Sequence, residues 1–121
     1  LSSSILIVDD SKVIRRALRQ LFESTGWDVC GEAGDGREGI ELAQQLRPDV
    51  IVLDMSMPEM DGIAAAKILK GLMPQLPIIM FTNFAEDQFV QQEVRSAGIT
   101  RVVSKSDSHA LVDAVESVLR A

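Results

Sequence analysis

Short apolar runs, each too brief for a helix, alternate five times with stretches of helical period along the 121 residues. Ile5-Leu6-Ile7-Val8 opens the series and reads as a buried strand. Val13, Ile14, Ala17, Leu18, Leu21 and Phe22 then mark one face of an amphipathic helix, with Lys12, Arg15, Arg16 and Arg19 on the other. Gly26 ends that helix, and Trp27 to Ala33 reads as a weaker strand with alternating apolar residues. Asp35 and Glu38 have capping-box spacing and open a helix through Ile40, Leu42, Ala43 and Leu46, which stops before Pro48. Val50-Ile51-Val52-Leu53 ends in Asp54, and after a Met- and Pro-bearing loop Asp61 caps a helix to about Gly71. Ile78-Ile79-Met80-Phe81 ends in Thr82, and a helix is expected from about Ala85 to Ala97, closed by Gly98. Val102-Val103 is a short fifth strand before Lys105, and Leu111, Val112, Val115, Val118 and Leu119 line the last helix. Strands apolar on both faces and separated by helices imply an α/β fold, a doubly wound parallel sheet of five strands.

The length suits one domain over 1–121, and 46% apolar residues suffice for a core. Lys plus Arg is 12 and Asp plus Glu is 18, so the formal charge is 12 − 18 = −6. That sign argues against nucleic-acid binding by this domain, which would need an excess of cations to displace counterions. The single cysteine, Cys30, excludes an internal disulfide and points to a reducing, cytoplasmic compartment. It is expected to be a buried, inert thiol. No apolar run is long enough to span a membrane. The start Leu1-Ser2-Ser3-Ser4 carries no initiating methionine and no secretion signal, which suggests a chain cut from a longer one.

In open α/β sheets, ligands bind beyond the carboxyl ends of the strands. Asp9-Asp10 ends the first strand, Asp54 the third, Thr82 the fourth and Lys105 the fifth, whereas the second ends in Gly34. Two like charges 4 Å apart repel by about 4 kcal/mol at an effective dielectric of about 20. A divalent cation would remove that cost, and Mg2+ suits hard oxygen ligands that leave room for water and a phosphate. A metal, an ammonium and a hydroxyl around one carboxylate are the parts of a phosphoryl-transfer site, with the carboxylate as nucleophile.

Taken alone, each residue has a plainer explanation. Asp9 and Asp10 could cap the first helix, Thr82 could be an ordinary strand residue, and Lys105 a solvated surface lysine. Their placement as a set makes the difference. Together with Asp54-Met55-Ser56-Met57-Pro58-Glu59-Met60-Asp61-Gly62, Phe81-Thr82 and Val103-Ser104-Lys105, they resemble the receiver (response-regulator) domain of two-component signalling over essentially the whole chain. The resemblance implies a flavodoxin-like (βα)5 fold with strand order 2-1-3-4-5, in which ligands bind beyond the carboxyl ends of the strands. It implies that Asp54 accepts a phosphoryl group from a sensor histidine kinase or phosphotransfer domain. Asp10 and Asp54 would hold Mg2+ with the backbone carbonyl of Ser56, and Asp9 would act largely through water. Thr82 and Lys105 would bind phosphoryl oxygens and report the state to an effector domain or downstream protein. The Ser56 side chain occupies the position where such domains tune phosphate lifetime. The domain would catalyse its own phosphorylation and dephosphorylation without being an enzyme acting on other substrates.

Two departures limit the resemblance. Val102 stands where many receivers carry a switching aromatic, and the chain has no tyrosine at all. Ser106 follows the lysine where proline with a cis bond is common, and a non-proline cis bond costs about 2.5–4 kcal/mol. There is also one extra residue between Thr82 and Lys105. Two rivals remain: a phosphate-independent receiver-like interaction module, and a phosphohydrolase with an aspartate nucleophile. Asp9-Asp10-Ser11-Lys12 lacks the Asp-x-Asp-x-Thr pattern of the second. The basic face of the first helix is either solvated or a kinase-docking surface. His109 has no partner for a metal. Phe89 is expected to pack, and Phe84 to be exposed on a signalling face. The ending at Ala121, just after the last helix, leaves room for a removed output domain.

Overall fold

Five parallel strands form one sheet: Ser4–Val8 (β1), Asp28–Ala33 (β2), Val50–Asp54 (β3), Ile78–Thr82 (β4) and Arg101–Ser104 (β5), in spatial order β2-β1-β3-β4-β5. The helices between and after them are Lys12–Ser24 (α1), Gly36–Leu46 (α2), Gly62–Leu72 (α3), Gln88–Ser96 (α4) and Ser108–Arg120 (α5). The computed structural model describes residues 2–120, so the expected domain ends at Leu1 and Ala121 lie outside the described residues. The expected α/β class and strand order are both observed.

The period-2 alternation of a strand sends successive side chains to opposite faces, and two separate cores result. Ile5, Ile7, Val50, Val52, Ile79 and Phe81 face one side, where Leu18 and Phe22 of α1 and Leu111 and Val115 of α5 cover them. Leu6, Val8, Ile51, Leu53, Ile78 and Met80 face the other, under Ile40 and Ala43 of α2, Ala66 and Leu69 of α3, and Val90 and Val94 of α4. Burial on both faces is why these strands read as continuous apolar runs. Each fully buried side chain of this kind contributes roughly 1.5–3 kcal/mol.

Aspartate and serine caps set the helix starts. Ser11, Asp35, Asp61 and Asp87 each accept a hydrogen bond from the backbone N–H three residues on. At α2 the capping box is displaced by one residue. The Asp35 carboxylate accepts from Glu38 N, but the Glu38 carboxylate accepts from Gly34 N, at 2.9 Å in each case.

Several local expectations need correction. Helix α4 begins at Gln88, not near Ala85, because Asp87 caps it through Val90 N at 3.0 Å. Ala85 is buried within the preceding loop, which explains its apolar signal. Phe89 does not pack, being 68% exposed, and Phe84 is half-exposed as expected. Strand β2 begins at Asp28, one residue later than expected, and ends at Ala33 as expected. Trp27 instead turns onto Phe22, with ring centroids 6.0 Å apart, after Gly26 takes a positive φ of 91°. On α1 the outer edge of the apolar face, Val13 and Ala17, is exposed. Cys30 is half-buried, its thiol 3.5 Å from the Ile5 carbonyl, and burial pushes its pKa up.

Candidate phosphoacceptor site

Parallel pairing brings the carboxyl ends of the strands to one rim, and β1, β3 and β4 end there side by side. Val8 pairs with Leu53 and Asp54 with Phe81, so Asp9 and Asp54 emerge from adjacent strands at nearly the same height. One carboxylate oxygen from each of Asp9, Asp10 and Asp54 lies within 4.8 Å of the others. Asp9 and Asp54 are buried, at 2% and 5% exposure, while Asp10 faces solvent.

Lys105 reaches this cluster from beyond β5. Its Nζ stands 3.2 Å from Asp9 Oδ2 and 3.1 Å from Asp54 Oδ1. Burial opposes its charge, but the two carboxylates together outweigh burial and raise its pKa. Asp54 is shifted the other way from a usual salt-bridged carboxylate. Burial and the neighbouring Asp9 charge push its pKa up, and the Lys105 contact does not cancel them.

The remaining expected residues lie as follows. Thr82 is buried at the end of β4, where its Oγ1 accepts a hydrogen bond from Phe84 N at 3.1 Å. The backbone N–H of Lys105 donates to the Thr82 carbonyl at 3.0 Å, which joins the two loop starts. Ser56 is exposed and lines one cavity of about 530 Å3 with Asp10, Met55, Met57, Asp61, Ile63, Phe89 and Val90. The structure thus groups Asp9, Asp10, Asp54 and Lys105 by direct geometry, with Thr82 and Ser56 on the adjoining loops.

The donor set fits a hard divalent cation. Three carboxylates and one ammonium carry a formal −3 + 1 = −2, the charge such an ion balances. Both Asp9 oxygens already have protein partners, Oδ1 from Ser11 N at 2.9 Å and Oδ2 from Lys105. That suits a role for Asp9 through water and leaves Asp10, on the exposed side, for direct contact.

Two features of the site escaped the reading of single residues. Arg15 and Arg19 on α1, expected on a free basic face, both pair with Glu32 of β2, at 3.1 and 2.6 Å. Their spacing of four on one helix face was the available signal, but the partner across the sheet edge was not visible. Gly62 at the start of α3 enters the sequence reading only as the last residue of the Asp54–Gly62 stretch. Its backbone lies so close to Asp54 that an added Cβ would overlap the Asp54 carbonyl oxygen and stand 3.0 Å from Met55 Cα. The peptide bonds of the described residues are all trans, Lys105–Ser106 included.

Comparison with known proteins agrees with this geometry. The family described as the response regulator receiver domain matches residues 5–116. The chain is 32% identical over 114 residues to the chemotaxis protein CheY of Thermotoga maritima, covering 94% of this chain and 95% of CheY. It is also 32% identical over 117 residues to the uncharacterized transcriptional regulatory protein YxjL of Bacillus subtilis, covering 96% of this chain but only 54% of YxjL. Thus the chain spans nearly all of one relative and about half of the other. Among solved structures, the CheX-CheY-BeF3-Mg complex from Borrelia burgdorferi contains a similar chain, with a TM-score of 0.87 and 29% identity. The match covers 96% of this chain and 88% of that one. The chain belongs to the response regulator receiver domain family, the phosphoacceptor part of two-component signalling proteins.

Proposed function

We propose that residues 1–121 form one receiver domain in which Asp54 is the phosphoacceptor and Mg2+ is required. The observation that carries this reading is the contact of Lys105 with both Asp9 and Asp54, at 3.2 and 3.1 Å, in a cluster that also includes Asp10. Asp10, Asp54 and the Ser56 backbone carbonyl would hold the ion, with Asp9 acting through water. When bound, Mg2+ supplies positive charge against the phosphoryl oxygens. The same ion in a complex of a similar chain supports this choice.

The donor is a phosphohistidine on a sensor kinase or phosphotransfer domain. An Asp54 carboxylate oxygen attacks phosphorus, the phosphorus–nitrogen bond breaks, and the imidazole leaves with the bonding pair. Lys105 meets the developing negative charge, already held at the point of attack. Thr82 Oγ1 accepts from Phe84 N, so its hydroxyl hydrogen is left to donate to a phosphoryl oxygen. Attack of water on phosphorus later releases phosphate and restores Asp54. The domain thereby catalyses its own transfer and hydrolysis, and a partner or attached effector reads the state. The absence of any helix long and apolar enough to cross a membrane, among the described residues, is compatible with a cytoplasmic setting.

Intact-mass analysis with Mg2+ and a small acyl phosphate donor tests this. One phosphoryl group is expected on the wild-type chain, none on Asp54→Asn, and none when the metal is chelated. No addition to the wild type, or undiminished addition to Asp54→Asn, overturns the reading.

A further inference from the structure

We propose that Arg15 is a positioning residue for the metal-binding turn, acting through the Asp9–Asp10 peptide. The inference rests on the Mg2+ site proposed above. Arg15 Nη1 donates to the Asp9 carbonyl oxygen at 2.6 Å. That carbonyl belongs to the same rigid peptide plane as the Asp10 N–H, so holding it sets where the Asp10 chain leaves β1. The Asp9 N–H is anchored from the opposite side by the Ala33 carbonyl at 3.0 Å. The turn carrying both acidic residues is therefore clamped between β2 and α1.

The guanidinium is itself held. Its Nε donates to Glu32 Oε1 at 3.1 Å, while Arg19 Nε occupies Glu32 Oε2 at 2.6 Å. Only 15% of the Arg15 side chain is exposed, so it is not a free surface charge. Gly34 lies beside the guanidinium, where a Cβ would stand 3.6 Å from Arg15 Nη1, in ordinary van der Waals contact. Pairing with Glu32 also blunts the field that a bare cation would direct at a bound Mg2+. A planar fork can serve a carboxylate and a carbonyl at once, which a lysine ammonium does with less directional control. Groups that orient metal ligands typically change metal affinity by about 10–100-fold when removed.

Arg19 provides the control, because it shares Glu32 but makes no bond to Asp9. Mg2+ affinity is measured by titration calorimetry for wild type, Arg15→Ala, Arg15→Lys and Arg19→Ala, beside urea unfolding of each without metal. Amide exchange at Asp10 and Ser11 is followed by NMR in the metal-free proteins. Arg15→Ala is expected to bind Mg2+ about tenfold more weakly, at the low end of that range, with faster exchange at the turn. Arg15→Lys should fall between it and wild type, and Arg19→Ala should stay within about twofold of wild type even if its stability drops as far. Unchanged or tighter Mg2+ binding in Arg15→Ala overturns the inference, as does an equal loss in Arg19→Ala. A wild-type chain that binds no Mg2+ refutes the underlying metal site instead, before any variant is compared.

Discussion

Asp54 carries a charge that its surroundings resist. Its carboxylate is nearly sealed from water and faces Asp9, and Lys105 with the Ser56 backbone opposes these effects without cancelling them. Its folded pKa lies above the ordinary value, so the folded protein binds that proton more tightly than the unfolded chain does. The stability this group contributes is full below its unfolded pKa and is lost as pH rises through its folded pKa. Asp54→Asn is therefore expected to stabilise the metal-free protein at neutral pH, because it removes a charge that burial and Asp9 disfavour. The gain should shrink towards zero as pH falls through the window between the two pKa values. Urea titrations of both proteins at a series of pH values would check it, and an equal gain at every pH would contradict the electrostatic cause. A buried carboxylate held at a cost to folding agrees with the phosphoacceptor role proposed for Asp54. Lys105 shows the limit of reading residues singly: by type it is a surface lysine, and only the end of β5 brings it to the acidic cluster.

Among the elements, the β3–α3 connection ties stability to the site most closely. Asp61 caps α3 by accepting from Ala64 N at 2.8 Å, and the Gly62 N–H donates to the Met55 carbonyl at 2.7 Å. The helix start is thereby pressed against the backbone that bears Asp54. Gly62→Ala is expected to destabilise the protein by about 1–3 kcal/mol, as overpacking against unyielding backbone does. Because the displaced atoms belong to Asp54 and Met55, Mg2+ affinity should fall as well. Unfolding and calorimetric titration of Gly62→Ala would show both losses. A clean stability loss with unchanged affinity would place the strain elsewhere. Asp35 and Asp61 made the starts of α2 and α3 legible, but the start expected for α4 near Ala85 lies in a loop whose buried alanine supplies an apolar signal. Phe89 shows the same weakness, since nothing in local period distinguishes an exposed aromatic at a helix start from a packed one.

At the scale of the molecule, the two cores and the parallel sheet form a rigid support for loops gathered on one rim. A ligand that binds only the folded form stabilises the whole domain, by about 2.7 kcal/mol at 100 times its dissociation constant. Adding Mg2+ at neutral pH should therefore raise the melting temperature by several degrees in the wild type. The rise should be much smaller in Asp10→Asn, which removes the exposed ligand but none of the buried ion pairs with Lys105. Thermal scans over a metal titration would test this, and an equal rise in both proteins would remove Asp10 from the site. The formal charge of −6 takes on a local meaning here, because part of it is concentrated where a cation would sit.

The amino-acid sequence by itself determined the alternation of strands and helices, the α/β class and the residues at or just beyond each strand's carboxyl end. These depend on apolar period and capping chemistry, which are local and short in range. The Asp-x-x-Met-Pro-x-Met-Asp-Gly stretch and its companions also made the family legible, because their order along the chain follows the order of the strand ends. Only the tertiary structure decided which charges meet. Lys105 lies 51 positions beyond Asp54 (105 − 54 = 51), yet their charged atoms are 3.1 Å apart. Arg15 found Glu32 and the Asp9 carbonyl, and Gly62 came against the Asp54 backbone, through the same folding of distant segments. Such contacts depend on strand order and register, which no local pattern encodes, and they set the charge balance at the site.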